Sequence, residues 1–290
     1  MTTSTLLVTG ATGKLGRQVV ELLLERNAGP IIATTRTPEK LWDFKKRGVD
    51  VRAADFEDEA SLVAAFKGAD RALLISTDAL GKRLSQHARA IRVFEKSGVK
   101  HVLYTSLPNA EKSVVSIAPD HAGTEAALAA TKLDFTILRN NLYLDLALFT
   151  LKGAVAAGQI VDARGSGATA FVTREDCARA AAAALADRSA AGRRTLDVTG
   201  PEAVTSDQLA AIVSEIVGKV VAHVSVPVEA LVKGMMEHGL PKPMADLYGS
   251  FDLAISKGEL ANATKTVATL TGKPPQSVRD FLTANRAALG

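Results

Sequence analysis

The 290-residue sequence predicts an α/β fold built on a doubly wound parallel sheet. Two observations carry this prediction: short apolar runs alternate with stretches of helical periodicity, and a glycine-rich turn joins the first run to the first helix. Short apolar runs rich in Val, Ile, Leu and Phe are typical of strands covered on both faces. Sheets of this kind bind ligands at the carboxyl ends of their strands.

The elements follow one another in the order that this fold requires. Strands are predicted at residues 5–8, 31–35, 49–53, 72–76, 101–104 and 135–138. Helices are predicted between them at residues 17–24, 38–47, 59–66, 83–96 and 121–130, where apolar side chains recur at helical spacing. The first 26 residues already show the strand, turn and helix of a nucleotide-binding unit in the required order.

Beyond about residue 150 the alternation loosens. A helix is predicted at 174–186 and a strand at 195–198, followed by several further helices. We therefore predict a Rossmann-like nucleotide-binding domain at 1–150 and a smaller α/β part at 151–290 that caps the substrate pocket. The boundary is soft, because the later strands are expected to join the same sheet.

Composition excludes several classes of protein. Hydrophobic residues make up 47% of the chain, which is enough for a large core. The 35 basic and 31 acidic residues are interspersed, so no basic stripe for nucleic acid is predicted. No apolar run reaches the roughly 18 residues of a membrane helix, and the first residues do not resemble a secretion signal. A cytoplasmic location without a membrane partner is expected.

Cysteine and histidine give no sign of a metal site. Cys177 is the one cysteine, which excludes an intrachain disulfide, and its alanine neighbours predict a small core residue. The five histidines are scattered without the spacing of metal ligands. No metal is predicted.

Three glycines, Gly10, Gly13 and Gly16, mark the turn after the first strand. In a dinucleotide-binding turn the first permits a tight bend, the second lets phosphates approach, and the third lets the helix pack on the strand. The N–H groups of the first helical turn attract negative charge. An ordinary turn is the alternative, but the order of elements favours cofactor binding by Gly10, Thr12, Gly13, Lys14, Leu15 and Gly16.

The end of the second strand favours NADPH over NADH. NAD-binding proteins carry an acid there, whereas this chain has Arg36, whose guanidinium suits a 2′-phosphate. Lys40 could add a second positive charge, although Arg36 as an ordinary surface residue is the alternative. After the third strand, Asp55 and Phe56 are candidates to contact the adenine amino group and ring. Asp55 is equally suited to cap the following helix.

Several segments resemble the NmrA-like branch of the atypical short-chain dehydrogenases, and especially its type 2 quinone oxidoreductases and triphenylmethane reductases. The resembling segments are residues 8–16, 74–76, 104–106, 138–143 and 255–259. The resemblance covers nearly the whole chain and implies an NADPH-dependent reductase that needs neither flavin nor metal. It also implies roles for three groups of residues: Ser76 and Thr77 at the cofactor ribose; Tyr104, Thr105 and Ser106 beside the nicotinamide; Asn140, Asn141 and Tyr143 at nicotinamide and substrate.

The Tyr-x-x-x-Lys pair of ordinary short-chain dehydrogenases is absent at Tyr104, Tyr143 and Tyr248. In that pair lysine lowers the tyrosine pKa so that the phenol exchanges a proton with substrate. His121 and Glu125, one helical turn apart, could form a hydrogen-bonded pair that serves as a substitute acid. A surface pair that stabilises the helix is the alternative.

Without a strong acid, the easiest reaction is hydride transfer to an acceptor that is already electron-poor. We therefore predict a cytoplasmic oxidoreductase that reduces a quinone or a similar conjugated or cationic aromatic compound. The catalytic candidates are His121, Asn141 and Tyr143, and His87 is a helix residue that could lie at the pocket edge. Candidates for the apolar pocket are Leu142, Met235, Met236, Leu247 and Phe251.

Two other functions have different sequence requirements. A non-catalytic NADPH sensor of the NmrA-like type would bind the same cofactor without consuming it. An epimerase of the extended short-chain group would retain the tyrosine-lysine pair, so its absence counts against that function. The oligomeric state, a homodimer included, stays open.

Overall fold

The computed structural model describes residues 4–290, and its main element is a seven-stranded sheet of order β3-β2-β1-β4-β5-β6-β9. The strands are β1 Leu6–Val8, β2 Ile31–Thr35, β3 Asp50–Ala53, β4 Arg71–Leu74, β5 His101–Ser106, β6 Asp134–Asn140, β7 Gln159–Asp162, β8 Ala168–Thr169, β9 Arg193–Val198, β10 Val204–Thr205 and β11 Ala222–Ser225. Each neighbouring pair from β3 to β6 is parallel. The strand order reverses between β1 and β4, which confirms the predicted doubly wound fold.

Helices connect these strands and fill the later part of the chain. They are α1 Lys14–Glu25, α2 Trp42–Lys46, α3 Glu59–Phe66, α4 Arg83–Lys96, α5 Ala118–Ala129, α6 Leu144–Ala157, α7 Arg174–Ala186, α8 Ser206–Val217, α9 Val228–Glu237, α10 Lys242–Ser256, α11 Thr266–Thr271 and α12 Val278–Ala284. A 3-10 turn at Pro38–Leu41 precedes α2, so the single helix predicted at 38–47 is in fact divided. None of the helices within residues 4–290 combines the length and the hydropathy needed to cross a bilayer.

Contacts divide the chain into two compact units, each assembled from separate stretches. The first unit contains the described residues up to Leu107, together with Asp120–Arg139 and Glu175–Asp197. The second contains Pro108–Pro119, Asn140–Arg174 and Val198–Gly290. The predicted division into a cofactor-binding part before residue 150 and a substrate-capping part after it stays a prediction.

The first unit is built around the apolar strands. All three residues of β1 are fully buried, and α1 buries Leu15, Val19, Val20 and Leu23 along one face. On the other side of the sheet, Phe66 and Phe94 stack with ring centroids 4.3 Å apart. Cys177 is 1% exposed among buried alanines of α7, which confirms the predicted core position.

The second unit has its own core and its own small sheets. β7 pairs in parallel with β11, and β8 pairs antiparallel with β10. The expectation that the later strands join the main sheet therefore holds for β9 and is wrong for these four. A cluster of side chains from α6, α8 and α12 forms the hydrophobic core of this unit.

A buried arginine ties α7 to the sheet. Arg71, the first residue of β4, donates from Nε to the carbonyl of Leu185 at 2.9 Å. Its two other nitrogens donate to the carbonyls of Ala184 at 3.2 Å and Ala190 at 3.3 Å. The carbonyls at a helix C-terminus have no intrahelical partner, so Arg71 satisfies groups that would otherwise be buried and unpaired.

We expect Arg71→Met to lower the free energy of unfolding by about 2–4 kcal/mol, because several buried acceptors lose their donor at once. Urea unfolding followed by circular dichroism measures the change. Arg47→Met is the matched control, because Arg47 pairs with Glu21 on the exposed surface and should move the midpoint little. Equal shifts in the two variants would contradict the role given to Arg71.

Candidate functional site

The first unit contains a cleft of about 340 Å³ at the carboxyl ends of its strands. It lies where the strand order reverses, the place at which doubly wound sheets bind ligands. Its lining residues are Gly10, Thr12, Gly13, Thr34, Thr35, Arg36, Ala54, Asp55, Phe56, Ile75, Ser76, Thr77, Asp78, Ala79 and Gln86. Eight of these residues, Gly10, Thr12, Gly13, Arg36, Asp55, Phe56, Ser76 and Thr77, are predicted cofactor contacts.

The glycine turn has the geometry that its sequence requires. Gly10 has φ +59°, a left-handed conformation that favours glycine, and its carbonyl accepts from the Gly13 N–H at 2.9 Å. A Cβ on Gly16 would lie 2.4 Å from the Gly10 oxygen, so α1 can approach the turn only with glycine there. Lys14, Leu15 and Gly16 form the first turn of α1 and lie outside the cleft lining.

The N-terminus of α1 is suited to an anion. Its N-cap, Gly13, provides no side-chain cap, and its first turn carries no acidic residue. The first N–H groups of a helix lack intrahelical acceptors and carry partial positive charge. A phosphate group in the cleft would therefore meet donors without displacing a protein carboxylate.

The exposed Arg36 and the half-buried Thr37 follow β2 at one side of the cleft. Arg36 is exposed and lines the cleft, whereas Lys40 is exposed on the 3-10 turn and does not line it. The Thr35 hydroxyl lies 3.1 Å from the Thr12 hydroxyl and accepts from the Thr37 N–H at 3.1 Å. These bonds fix the backbone that leads into Arg36.

Asp55 and Phe56 line the cleft after β3. One carboxylate oxygen of Asp55 accepts from the Glu57 N–H at 2.9 Å. The N-cap of α3 is Asp58, which accepts from Ala60, so the alternative that Asp55 caps this helix is wrong. Asp58 holds that position because its backbone is extended directly before the first helical residue.

The segment after β4 is held by side chains at three successive N–H groups. The N–H groups of residues 75, 76 and 77 donate in turn to Thr9 Oγ1 at 2.9 Å, Thr105 Oγ1 at 2.8 Å and His87 Nε2 at 3.1 Å. Thr105 thus supports the cleft from behind, and its side chain is not among the lining residues. Three side chains from other elements thus fix the backbone of residues 75–77 in the cleft wall.

Tyr104 and His121 lie in the core beneath the cleft. The Tyr104 hydroxyl is 2.8 Å from His121 Nδ1, and Arg83 is 3.4 Å from His121 Nε2. Burial, with Arg83 nearby, lowers the pKa of His121 to about 3, and burial raises the pKa of Tyr104 well above its usual range. At neutral pH His121 is therefore uncharged and Tyr104 keeps its proton.

The predicted pairing of His121 with Glu125 is wrong. Glu125 accepts instead from Ser106 Oγ at 2.6 Å and from Arg139 Nε at 3.0 Å. The surface alternative is wrong as well, because His121 is 5% exposed and Glu125 is 9% exposed. Arg139 offers the carboxylate two charge-assisted hydrogen bonds, which a neutral imidazole cannot match. Ser106 is likewise committed to Glu125 and is not among the lining residues.

In the second unit, Asn140 and Tyr143 lie together. Asn140 Nδ2 donates to the Tyr143 hydroxyl at 3.0 Å, while Asn140 Oδ1 is buried without a hydrogen-bond partner among the described residues. The Arg174 guanidinium lies 5.4 Å from the centre of the Tyr143 ring. Asp145 accepts from that guanidinium at 2.9 Å and thereby holds it in place.

Asn141, a predicted catalytic residue, is occupied by structural hydrogen bonds. Its Nδ2 donates to the Leu260 carbonyl at 3.0 Å, and its Oδ1 accepts from the Leu142 N–H at 2.7 Å. Both ends of the amide are thus engaged, and the side chain is buried. We assign it to holding the segment at Leu260.

The apolar residues predicted for a substrate pocket differ in exposure. Leu142, Met235, Leu247 and Phe251 are half-buried. Met236 is 42% exposed and lines an open groove of about 620 Å³ along α9 and α10. Their contact with substrate stays a prediction.

Sequence reasoning missed Gln86 in the cleft lining. Gln86 Oε1 accepts from the Thr77 hydroxyl at 2.8 Å, and its Nε2 donates to Glu57 Oε1 at 2.8 Å. The sequence did contain a signal for Gln86. At helical spacing, Arg83, Gln86 and His87 continue the buried face of α4 toward its N-terminus. Polar residues on an apolar face indicate buried hydrogen-bond partners.

A doubly wound sheet with a glycine-rich turn at its switch point, an acid-free helix N-terminus and an exposed arginine defines a nucleotide-binding α/β protein. Residues 10–188 match the model of an NAD(P)H-binding family. Quinone oxidoreductase 2 of Escherichia coli is 35% identical over 274 residues, which cover 94% of this chain and 96% of that protein. The chain belongs to the NAD(P)H-binding family.

Solved structures agree with this assignment. The NADPH-dependent quinone oxidoreductase of E. coli, complexed with NADPH, matches with a TM-score of 0.93 and 34% identity, over 97% of this chain and 99% of that one. Triphenylmethane reductase of Citrobacter sp., complexed with NADP(H), matches with a TM-score of 0.90 and 35% identity, over the same shares. These likenesses confirm the predicted resemblance, the NADPH cofactor and the oxidoreductase class.

Proposed function

We propose that the cleft of the first unit holds NADPH, with the glycine turn and the first turn of α1 at the pyrophosphate. Gly10 and Gly13 expose backbone at the cleft, and the N-terminus of α1 supplies positive potential there. Arg36 would bind the 2′-phosphate, with Lys14 and Lys40 adding positive charge. When bound, NADPH supplies a hydride from its reduced nicotinamide ring.

The remaining walls would hold the rest of the cofactor. Asp55 and Phe56 would contact the adenine, and Ser76 and Thr77 would contact a ribose. None of the three residues Tyr104, Thr105 and Ser106 lines the cleft. They would therefore act on the nicotinamide end indirectly, by holding the residues of the cleft wall in place. In the second unit, the buried side-chain oxygen of Asn140 has no hydrogen-bond partner among residues 4–290, and Asn140 and Tyr143 stay predicted contacts of nicotinamide or acceptor.

We further propose that the acceptor is a quinone or a similarly electron-poor conjugated compound, reduced directly without flavin or metal. The observation that carries this proposal is the burial of Tyr104 and His121, whose polar atoms lie against each other and against Arg83 and are not in the cleft lining. Neither is a ready acid at neutral pH, because burial raises the pKa of Tyr104 and lowers the pKa of His121 to about 3. An acceptor that takes hydride first and a proton from water afterwards needs no side-chain acid.

A deuterium experiment tests this proposal. Purified protein without added flavin is mixed with NADPH deuterated at either face of C4 and with a cationic triphenylmethane dye. Direct transfer is expected to place one deuterium on the central carbon of the colourless product, from one face only. A flavin-mediated route would exchange the label with water and give unlabelled product.

A parallel assay with a benzoquinone follows the loss of reduced-nicotinamide absorbance, with an enzyme-free control for chemical reduction. Turnover that scales with protein is expected. Binding of NADPH without turnover on either acceptor would contradict the reductase and support the sensor function instead.

A further inference from the structure

Three side chains of α4 hold Thr77, a residue of the cleft wall. Arg83 Nε donates to the Thr77 carbonyl at 2.7 Å, and His87 Nε2 accepts from the Thr77 N–H at 3.1 Å. The Thr77 hydroxyl donates to Gln86 Oε1 at 2.8 Å. Every polar group of Thr77 is therefore bonded to one helix, although only Gln86 among the three α4 residues lines the cleft.

The hydrogen bonds of His87 fix its tautomer. A backbone N–H can only donate, so Nε2 must be unprotonated, and Nδ1 carries the proton toward Thr124 Oγ1 at 2.9 Å. Thr124 in turn donates to the Asp120 carbonyl at 2.7 Å, which leaves its oxygen free to accept. His87 is fully buried, and burial together with Arg83 lowers its pKa to about 3.

The direction of the Thr77 hydroxyl is fixed in the same way. Gln86 Nε2 donates to Glu57 Oε1 at 2.8 Å, so the amide must present its oxygen to Thr77. The hydroxyl proton therefore goes to Gln86. What remains for a ligand in the cleft is a lone pair on Thr77 Oγ1.

We infer that Arg83, Gln86 and His87 are positioning residues that present Thr77 Oγ1 to bound NADPH solely as a hydrogen-bond acceptor. The group it accepts from is a ribose hydroxyl. Phosphate oxygens bring no donor, the adenine amino group is proposed to lie at Asp55, and the carboxamide belongs to the nicotinamide end. This inference rests on the proposed cofactor site. His87 acts through Thr77 and touches no ligand itself.

The first test examines wild-type protein, so it does not depend on a variant that folds. Nitrogen-15 NMR of the histidine rings is expected to show an imidazole with unprotonated Nε2 and protonated Nδ1 that is unchanged between pH 5 and 8.5 and is lost in His87→Gln. His121, whose Nε2 faces the Arg83 guanidinium, is expected to give a second such imidazole, which remains in that variant. An assignment of His87 to the opposite tautomer, or its titration within that range, would overturn the inference.

The second test separates positioning from stability by kinetics. His87→Leu is expected to raise KM for NADPH roughly tenfold while kcat at saturation changes less than about threefold. His87→Gln, whose amide oxygen can accept from Thr77, should restore most of the loss. An unchanged KM in His87→Leu would overturn the inference.

His101→Leu is the matched control. His101 is also a buried imidazole bonded to a threonine, Thr136 at 2.9 Å, but it lies at the start of β5, far along the strand from the cleft. It should lose stability without a change in KM. Equal KM effects in the two leucine variants would show a general structural effect and overturn the inference.

A double-mutant cycle with Thr77→Val completes the design. If His87 acts through Thr77, the KM effects of His87→Leu and Thr77→Val should be far from additive. Additive effects would overturn the inference. If wild-type protein itself fails to bind NADPH, the proposed site fails; if it binds and the cycle is additive, only the inference fails.

Discussion

Replacing Arg36 with Ala is expected to raise KM for NADPH by about 10- to 100-fold, the loss typical of a charge-assisted hydrogen bond. KM for NADH should change less than about twofold, because NADH has no 2′-phosphate for the guanidinium to bind. Initial rates with both cofactors at a fixed concentration of a benzoquinone measure the ratio. Because Arg36 is exposed, its removal leaves the fold unchanged.

Two variants serve as controls for Arg36. Arg36→Lys keeps the charge but loses the planar fork, so an intermediate KM for NADPH is expected. Arg17→Ala removes a nearby cation that already pairs with Asp43 and is not in the cleft lining, and it should leave the cofactor preference intact. Equal losses with NADPH and NADH in Arg36→Ala would reject the 2′-phosphate role.

Lowering the pH from 6.5 to 5 is expected to destabilise the protein strongly, because three histidines are buried in their neutral form. Burial, with an arginine nearby in each case, lowers the pKa of His87 to about 3, of His101 to about 4 and of His121 to about 3. On unfolding each returns to its ordinary pKa of about 6.5 and takes up a proton. Their stabilising contribution is therefore complete above pH 6.5 and is lost as the pH falls below it.

Each such histidine contributes a slope of up to about 1.4 kcal/mol per pH unit in this window. Urea unfolding at constant ionic strength between pH 5 and 8 measures the slope, and His101→Asn should make it shallower. The ordinary pKa of a carboxyl group, about 4, lies below this window. A flat stability profile from pH 6.5 to 5 would contradict the buried neutral state.

His223 is expected to act in the opposite direction. Burial alone would lower its pKa, but hydrogen bonds to Asp162 and Asp207, each 2.9 Å, outweigh burial and raise it. Its contribution is present below its ordinary pKa of about 6.5 and is lost as the pH rises through the raised folded value. Stability should therefore reach a maximum and then decline slightly toward alkaline pH.

Elements whose signal is local could be predicted from the sequence. The bounds of α3, α4 and α7 agree with the predicted ranges, because apolar or alanine-rich periodicity begins and ends with each helix. The polar ends of β5 and β6 were missed. Thr105 and Ser106 continue β5 beyond its apolar run, because the side chain of each forms a hydrogen bond with a residue distant in the sequence. A local sequence pattern does not show such a partner.

The candidate site likewise contains residues that could be predicted from the sequence and residues that could not. The glycine turn and Arg36 were predictable, since their chemistry depends on neighbours in the sequence. The pairing of His121 with Glu125 was wrong because spacing within a helix does not show what the adjacent strand offers. Arg139, 14 residues further along the chain, decides where Glu125 bonds.

The discontinuous first unit has a consequence for synthesis of the chain on the ribosome. Its sheet is completed by β9, which ends at Val198, so β6 is an open edge until nearly 200 residues have been made. β6 itself ends at Asn140, so 58 further residues separate it from the end of β9, and at about 5–20 residues per second their synthesis takes on the order of 3–12 s. During that interval the edge of β6 is open to pairing with another chain, and Arg71 lacks its acceptors until Ala184, Leu185 and Ala190 have been made.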